Sequence, residues 1–338
     1  MKNVGPVLSL LLVAAFGMVG CSVEVVSTPP ETKSTGTPVA NGAAAIGAEK
    51  SEAKLSGEIA IAGSSTVFLI ADEAKEAFSA LHSDVKIGLG EGGTGGGFDK
   101  FARGELDIAN ASRPIKEAEA KNCQEKGIEY VELKLAIDGL SVVVNSKNDF
   151  CDALTVAQLK QLWAPGSKVS MWSELNPAWP AEKIELYGAD VKSGTFDYFT
   201  EAIVGKAKQS RSDYTYNSDD NFLVTGVAGD KYSLGYFGYA YYLANKDKLK
   251  VVKIAPGDDV AEAVAPTEET ILSGTYKPLS RPLFVYANKA RLKKPQVAAF
   301  LKFLLNDGQK CVKESGYIQL PEAELAESRK RLDEALAK

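Results

Sequence analysis

Four short stretches of the chain carry the residue types that hold a small anion. They are Ala62-Gly63-Ser64-Ser65-Thr66, Gly92-Gly93-Thr94-Gly95-Gly96-Gly97, Ala109-Asn110-Ala111-Ser112-Arg113-Pro114 and Lys192-Ser193-Gly194-Thr195. Each follows a run with strand character, and the first, second and fourth also precede a helix pattern. The first turn of a helix offers unpaired backbone N–H groups and about half a positive charge. Glycine lets an anion approach the backbone, and Ser and Thr hydroxyls add rotatable donors. Any one such loop reads as an ordinary helix cap. Four of them converging would hold a tetrahedral oxyanion with few cations. The glycine run lacks the Lys-Ser/Thr ending of a nucleotide P-loop and the acidic partner of a dinucleotide fingerprint.

Other chemistries lack their residues. The chain has one histidine, His82, placed at the polar end of a helix pattern. No Ser-His-Asp set and no His-rich metal site can be built from it. There is no Gly-x-Ser-x-Gly elbow. The sequence therefore points to a binding protein rather than an enzyme, with no cofactor. The net charge of −5 gives no basic footprint for nucleic acid.

The elements that position these loops alternate between strand and helix patterns. Strands are expected over 58–62, 85–90, 106–109, 140–145, 183–187, 234–237, 249–254 and 282–287. Helices are expected over 66–81, 98–103, 155–163, 196–204, 219–228, 295–305 and 322–337. In the first helix, Val67, Ile70, Ala74, Ala77, Phe78 and Leu81 share one face. The alternation predicts an α/β fold with largely parallel sheets. A length of 338 residues suits two folded units.

The N-terminal region reads as an export signal. Lys2 precedes an apolar run from Val7 to Phe16, too short to span a bilayer. Gly20-Cys21 resembles a bacterial lipobox, with Cys21 the lipidated residue. Residues 1–20 are the expected signal peptide, and residues 21–56, without aromatics, an expected flexible tether. Three cysteines remain beyond Cys21. Export permits a disulfide, and Cys123 with Cys151 flanks one strand region, while Cys311 lies far off. A Cys123–Cys151 bridge is the expected pairing; three free thiols or a bridge through Cys311 are the alternatives.

Taken together, several runs resemble the phosphate-binding proteins of phosphate ABC importers. They are Gly63–Val67, Gly92–Phe98, Asp107–Arg113, Ser193–Phe199, Gly235–Ala240 and Leu279–Leu283, in this order. The resemblance covers residues 57 to about 320. It implies a two-lobed type II periplasmic-binding-protein fold with the ligand in the cleft. Lobe one would be 57–145 plus 265–338, lobe two 146–264, with hinges near 145–150 and 254–272. It implies capture of inorganic phosphate by an exported, lipid-anchored monomer that delivers it to the importer's membrane subunits. The contacts it implies are Ser65, Thr66, Thr94, Ser112, Arg113, Ser193, Gly194 and Thr195. Two departures stand out. Arg113 occupies a place where some relatives carry the Asp that accepts the phosphate proton, and Ala189 a place where some carry Arg. The acceptor is then sought among Asp190, Glu91 and Asp138. The competing readings are another oxyanion such as sulfate, or an extracellular phosphohydrolase.

Overall fold

The computed structural model describes residues 54–337. The expected signal peptide, Cys21 and nearly all of the expected tether lie outside the described residues. No helix among the described residues is long and apolar enough to cross a membrane.

The chain runs β1 (Gly57–Gly63), α1 (Ser65–Leu81), β2 (Val85–Glu91), α2 (Gly93–Ala102), β3 (Ile108–Ala111), α3 (Glu117–Glu125) and β4 (Tyr130–Asn145). It continues through α4 (Val156–Trp163), β5 (Glu185–Ala189), α5 (Gly194–Phe199), β6 (Thr215–Asn217), α6 (Asp220–Gly229) and β7 (Ser233–Gly238). It returns as β8 (Ser280–Asn288), α7 (Pro295–Leu305) and α8 (Glu322–Leu336). The principal sheet has the order β2-β1-β3-β8-β4-β7-β5-β6. β1, β2 and β3 are parallel, as are β5, β6 and β7. β8 and β4 run antiparallel to their neighbours, so the sheet is mixed rather than largely parallel.

β4 joins two halves of this sheet. Tyr130–Gly139 pairs with β8, while Leu140–Val144 pairs with β7. The sequence suggested a strand only over 140–145. Asp138-Gly139 looks like a break, yet both lie within the strand and Asp138 finds a charged partner in Arg281.

Helices cover both faces of each half. On the first half, Ile59 and Ile61 of β1 share a core with Val67, Ile70 and Phe78 of α1 and Phe300 of α7. Each such side chain, taken out of water, contributes about 1.5–3 kcal/mol. Ala62, on the other face, packs with Phe98 and Phe101 of α2 and Cys123 of α3. The predicted face of α1 holds except at its end, where Leu81 is exposed. On the second half, Trp163, Phe199 and Tyr236 pack together, with Phe199 and Tyr236 stacked at 3.6 Å. α6 lays Leu223, Val224 and Val227 on the opposite face. Its Asp219 caps the helix by accepting from Asn221 N.

The expected Cys123–Cys151 disulfide is corrected by the structure: Cys123, Cys151 and Cys311 are all free and buried. Cys123 lies in α3, just before β4 starts, and packs among Phe98, Phe101 and Tyr286. Cys151 follows the far end of β4, in the main core with Leu154 and Trp172. The 16 residues of β4 separate them, roughly 50 Å of extended chain. A bridge requires Cα atoms within about 7 Å. Burial pushes the Cys151 thiol up to about 12, so it stays protonated.

Candidate anion site

Three of the four loops meet at the C-terminal ends of β1, β2 and β3. Their tight approach explains two glycines. Gly63 has φ 141°, and a Cβ there would lie 2.1 Å from the Asn110 carbonyl oxygen. Gly97 packs α2 against β1 so closely that a Cβ would meet Gly63 Cα at 2.6 Å. This contact also extends α2 back to Gly93, five residues before the helix expected from Phe98. Loops two and three are tied through Thr94, whose Oγ1 accepts from Ser112 N and lies 3.1 Å from Ser112 Oγ.

A cavity of about 180 Å³ opens here. Ser65, Thr66, Thr94, Ser112 and Arg113, all singled out in the sequence, line it. Ser64 lines it too, and its Oγ caps α1 by accepting from Val67 N. The second half of the molecule supplies Asp197, Glu201 and Ala207. Ser193, Gly194 and Thr195 are not in the lining. Ser193 Oγ accepts from Thr195 N and caps α5, and the Gly194 carbonyl lies 3.4 Å from Thr66 Oγ1. α5 thus presses its first turn onto the first turn of α1. The fourth loop meets the first, while the residues one turn further along α5 face the cavity.

Arg113 is held by a residue the sequence did not suggest. Its guanidinium forks onto Glu119 of α3, with NH1 and NH2 donating to Oε2 and Oε1 at 2.8 and 2.7 Å. Burial opposes ionising Glu119, but hydrogen bonds from Arg113 and the Lys116 backbone outweigh it and lower its pKa. The Glu119 bond in turn raises Arg113. The pair presents a fixed cationic edge rather than a free point charge.

Arg281, at the start of β8, is the other guanidinium at the cavity. Its NH2 donates to Thr66 Oγ1 at 2.8 Å, and its Nε lies 3.4 Å from Asp138 Oδ2. Its NH1 is 3.7 Å from Glu201, and its plane sits 3.5 Å from the Tyr198 ring centre. Arg281 thereby touches α1, β4 and α5 at once. Asp138 is 2 % exposed, and burial pushes its pKa up to about 6 despite the Arg281 charge.

Of the acids considered from sequence, Glu91 and Asp190 are not in the lining, and Asp138 stands behind Arg281. Two carboxylates line the cavity: Glu201, largely exposed and 3.7 Å from Arg281 NH1, and Asp197, the more buried of the two. Its Oδ2 accepts from Ser65 Oγ at 2.9 Å, while Oδ1 is buried without a hydrogen-bond partner among the described residues. Donors from three loops, two guanidiniums and the Asp197 carboxylate make a site for a small oxyanion that carries a proton. The carboxylate accepts the proton, and the other groups donate to the remaining oxygens.

The PBP superfamily domain matches residues 48–308. A phosphate-binding protein PstS of Staphylococcus saprophyticus is 40% identical over 308 residues, 91% of this chain and 94% of that protein. The chain belongs to the PstS family of phosphate-binding proteins. Among solved structures, a possible phosphate-binding protein from Planctomyces limnophilus is 54% identical, with a TM-score of 0.80 over 83% of this chain and 99% of that one. A putative phosphate ABC transporter substrate-binding protein from Clostridium perfringens, solved with bound phosphate, is 26% identical. Its TM-score is 0.52 over 78% of this chain and all of the other. The fold of this family member is the two-lobed type II binding-protein fold expected from the resemblance.

Neither Asp197 nor Arg281 was assigned a role from sequence, although both lie inside runs that carry the family resemblance. Their partners are remote: Ser65 is 132 residues from Asp197, and Thr66 is 215 from Arg281. Sequence spacing holds no record of such pairings.

Proposed function

We propose that the protein captures inorganic phosphate outside the cytoplasm and delivers it to an ABC importer. The observation that carries this reading is the cavity in which Ser65, Thr66, Thr94, Ser112, Arg113 and Arg281 offer donors while Asp197 offers one acceptor. Family membership supports it. Ser193, Gly194 and Thr195 complete the site from the second lobe, through the α5 turn seated on Thr66. The lobes divide as 57–145 plus 265–338 and 146–264, with β4 crossing between them; the pairing of its two halves with β8 and β7 supports that division. Export by residues 1–20, lipid attachment at Cys21 and function as a monomer belong to the same reading.

Asp197 makes the reading specific. Phosphate carries a proton at neutral pH and sulfate does not. A carboxylate in the cavity wall welcomes the first and repels the second. Asp197 takes the role left open by Arg113 in the third loop, from the opposite side of the cavity. Isothermal titration of the mature protein with phosphate, sulfate and arsenate tests this. One-to-one phosphate binding with weak sulfate competition is expected. Equal or tighter sulfate binding would overturn the assignment of ligand.

A further inference from the structure

Directly after α5 the helix widens. Thr200–Val204 forms a π-helical turn, and Gly205 N donates to Thr200 O at 3.1 Å. Such turns are rare and concentrate at functional sites. The chain then folds back over the cavity, so that Ala207 joins its lining. The next residue, Lys208, has φ 64° and is the one non-glycine residue with positive φ among the described residues. A long side chain adopts that conformation at a cost, and such strain persists where its surroundings enforce it. Here they do. Lys208 N donates at 2.8 Å to the hydroxyl of Thr200, which is fully buried. Thr200 Oγ1 itself donates back to Phe196 O at 2.7 Å. The result places the Lys208 ammonium 3.6 Å from Asp197 Oδ2.

We infer that Lys208 is a further residue of the anion site, a cation held at its mouth to draw the anion in and to offset Asp197 once the anion seats. This rests on the phosphate reading above. The charges around the cavity explain why such a cation is needed. The cations that line the cavity make no ion pair with Asp197: Arg113 is committed to Glu119, Arg281 is shared among Thr66, Asp138 and Glu201, and Lys116 pairs with no acid among the described residues. An anion placed against Asp197 therefore meets a negative charge whose one ion-pair partner among the described residues is Lys208. The Lys208 side chain is two-thirds exposed, and an ion pair at 3.6 Å with one partner so solvated adds little to folding. The strained backbone is thus not explained by the stability of that pair. Its effect is positional: it points a flexible, largely solvated cation at Asp197, the more buried of the two carboxylates that line the site.

The experiment compares wild type with Lys208→Gly and Lys208→Arg, measuring thermal midpoint, phosphate affinity and the association rate against salt. Glycine suits φ 64°, so Lys208→Gly is expected to keep or raise the midpoint while weakening phosphate roughly threefold. Its association rate should fall and lose part of its salt dependence, because steering by charge is screened by salt. Lys208→Arg should retain the rate and its salt dependence. Wild-type binding with unchanged affinity and rate in Lys208→Gly would overturn the role of Lys208 and leave the phosphate reading intact. Absence of phosphate binding by the wild type would overturn that reading, and this one with it.

Discussion

At the scale of single residues, the site is a balance of donors against one acceptor. The Asp197 carboxylate is the group that breaks the symmetry between phosphate and sulfate, so its removal should change selectivity more than fold. Asp197→Asn replaces an acceptor oxygen with an amide that can donate. A hydrogen bond to a charged group contributes roughly 1.5–3 kcal/mol. Phosphate affinity should fall at least about tenfold and sulfate should gain relative to phosphate. Calorimetry with both anions checks this, and an unchanged ratio would place proton recognition elsewhere. The sequence showed the hydroxyls and glycines of the site because they lie in contiguous runs. It showed Arg113 but not Glu119, whose fork leaves the guanidinium fixed in place. Asp197 and Arg281 stayed without a role because each works through partners more than a hundred residues away.

At the scale of elements, the site depends on how closely α2 approaches β1. The glycine run looked like an anion-binding loop, yet Gly93–Gly97 forms the first turns of α2. Glycine is a poor helix former, so periodicity and propensity both place the helix start too late. What selects glycine at position 97 is the backbone of Gly63 and Ala62, at 2.6 and 3.2 Å from where a Cβ would sit. Neither neighbour is a flexible side chain that can yield. Gly97→Ala should therefore cost about 1–3 kcal/mol, seen as a thermal midpoint lower by about 2–4 °C per kcal/mol. Phosphate binding should weaken with it, because a displaced α2 carries Thr94 away from Ser112. Gly96→Ala is the control: a Cβ there meets nothing within 4 Å. That substitution should be neutral or slightly stabilising, since alanine is the better helix former. If both variants melt alike, close packing is not the reason for the glycine at 97. The π-helical turn after α5 was hidden for a similar reason. The pattern of Phe196–Val204 reads as one continuous helix, and hydrophobic period holds no sign of the bond from Lys208 N to Thr200 Oγ1 that accompanies the wider turn.

At the scale of the whole molecule, the two halves of the sheet meet at Asp138-Gly139 in β4, and a buried charge sits at that junction. Asp138 pairs with Arg281, which reaches Tyr198 and Glu201 across the cleft. Burial raises the Asp138 pKa from 3.8 to about 6. Unfolding returns it to its ordinary value, so between about pH 4 and pH 6 the folded protein holds a proton that the unfolded chain has released. Stability from this group is then fully present below about pH 4 and is lost as pH rises through about 6. A shift of this size corresponds to an effect on the order of 3 kcal/mol. Other groups add their own slopes: Asp220 is also raised to about 6, while Asp213 is lowered to about 2. The informative quantity is therefore a difference between two proteins. Asp138→Asn stays neutral at every pH, so its stability relative to wild type should rise from pH 4 to pH 7 by a few kcal/mol, then level off. A constant offset, whatever its sign, is set by the altered bond to Arg281 and does not disturb that trend. Chemical denaturation of both proteins across this range measures it. A difference that stays flat would show that Asp138 titrates at an ordinary carboxylate pKa, and that the junction of the two halves carries its charge without a burial cost.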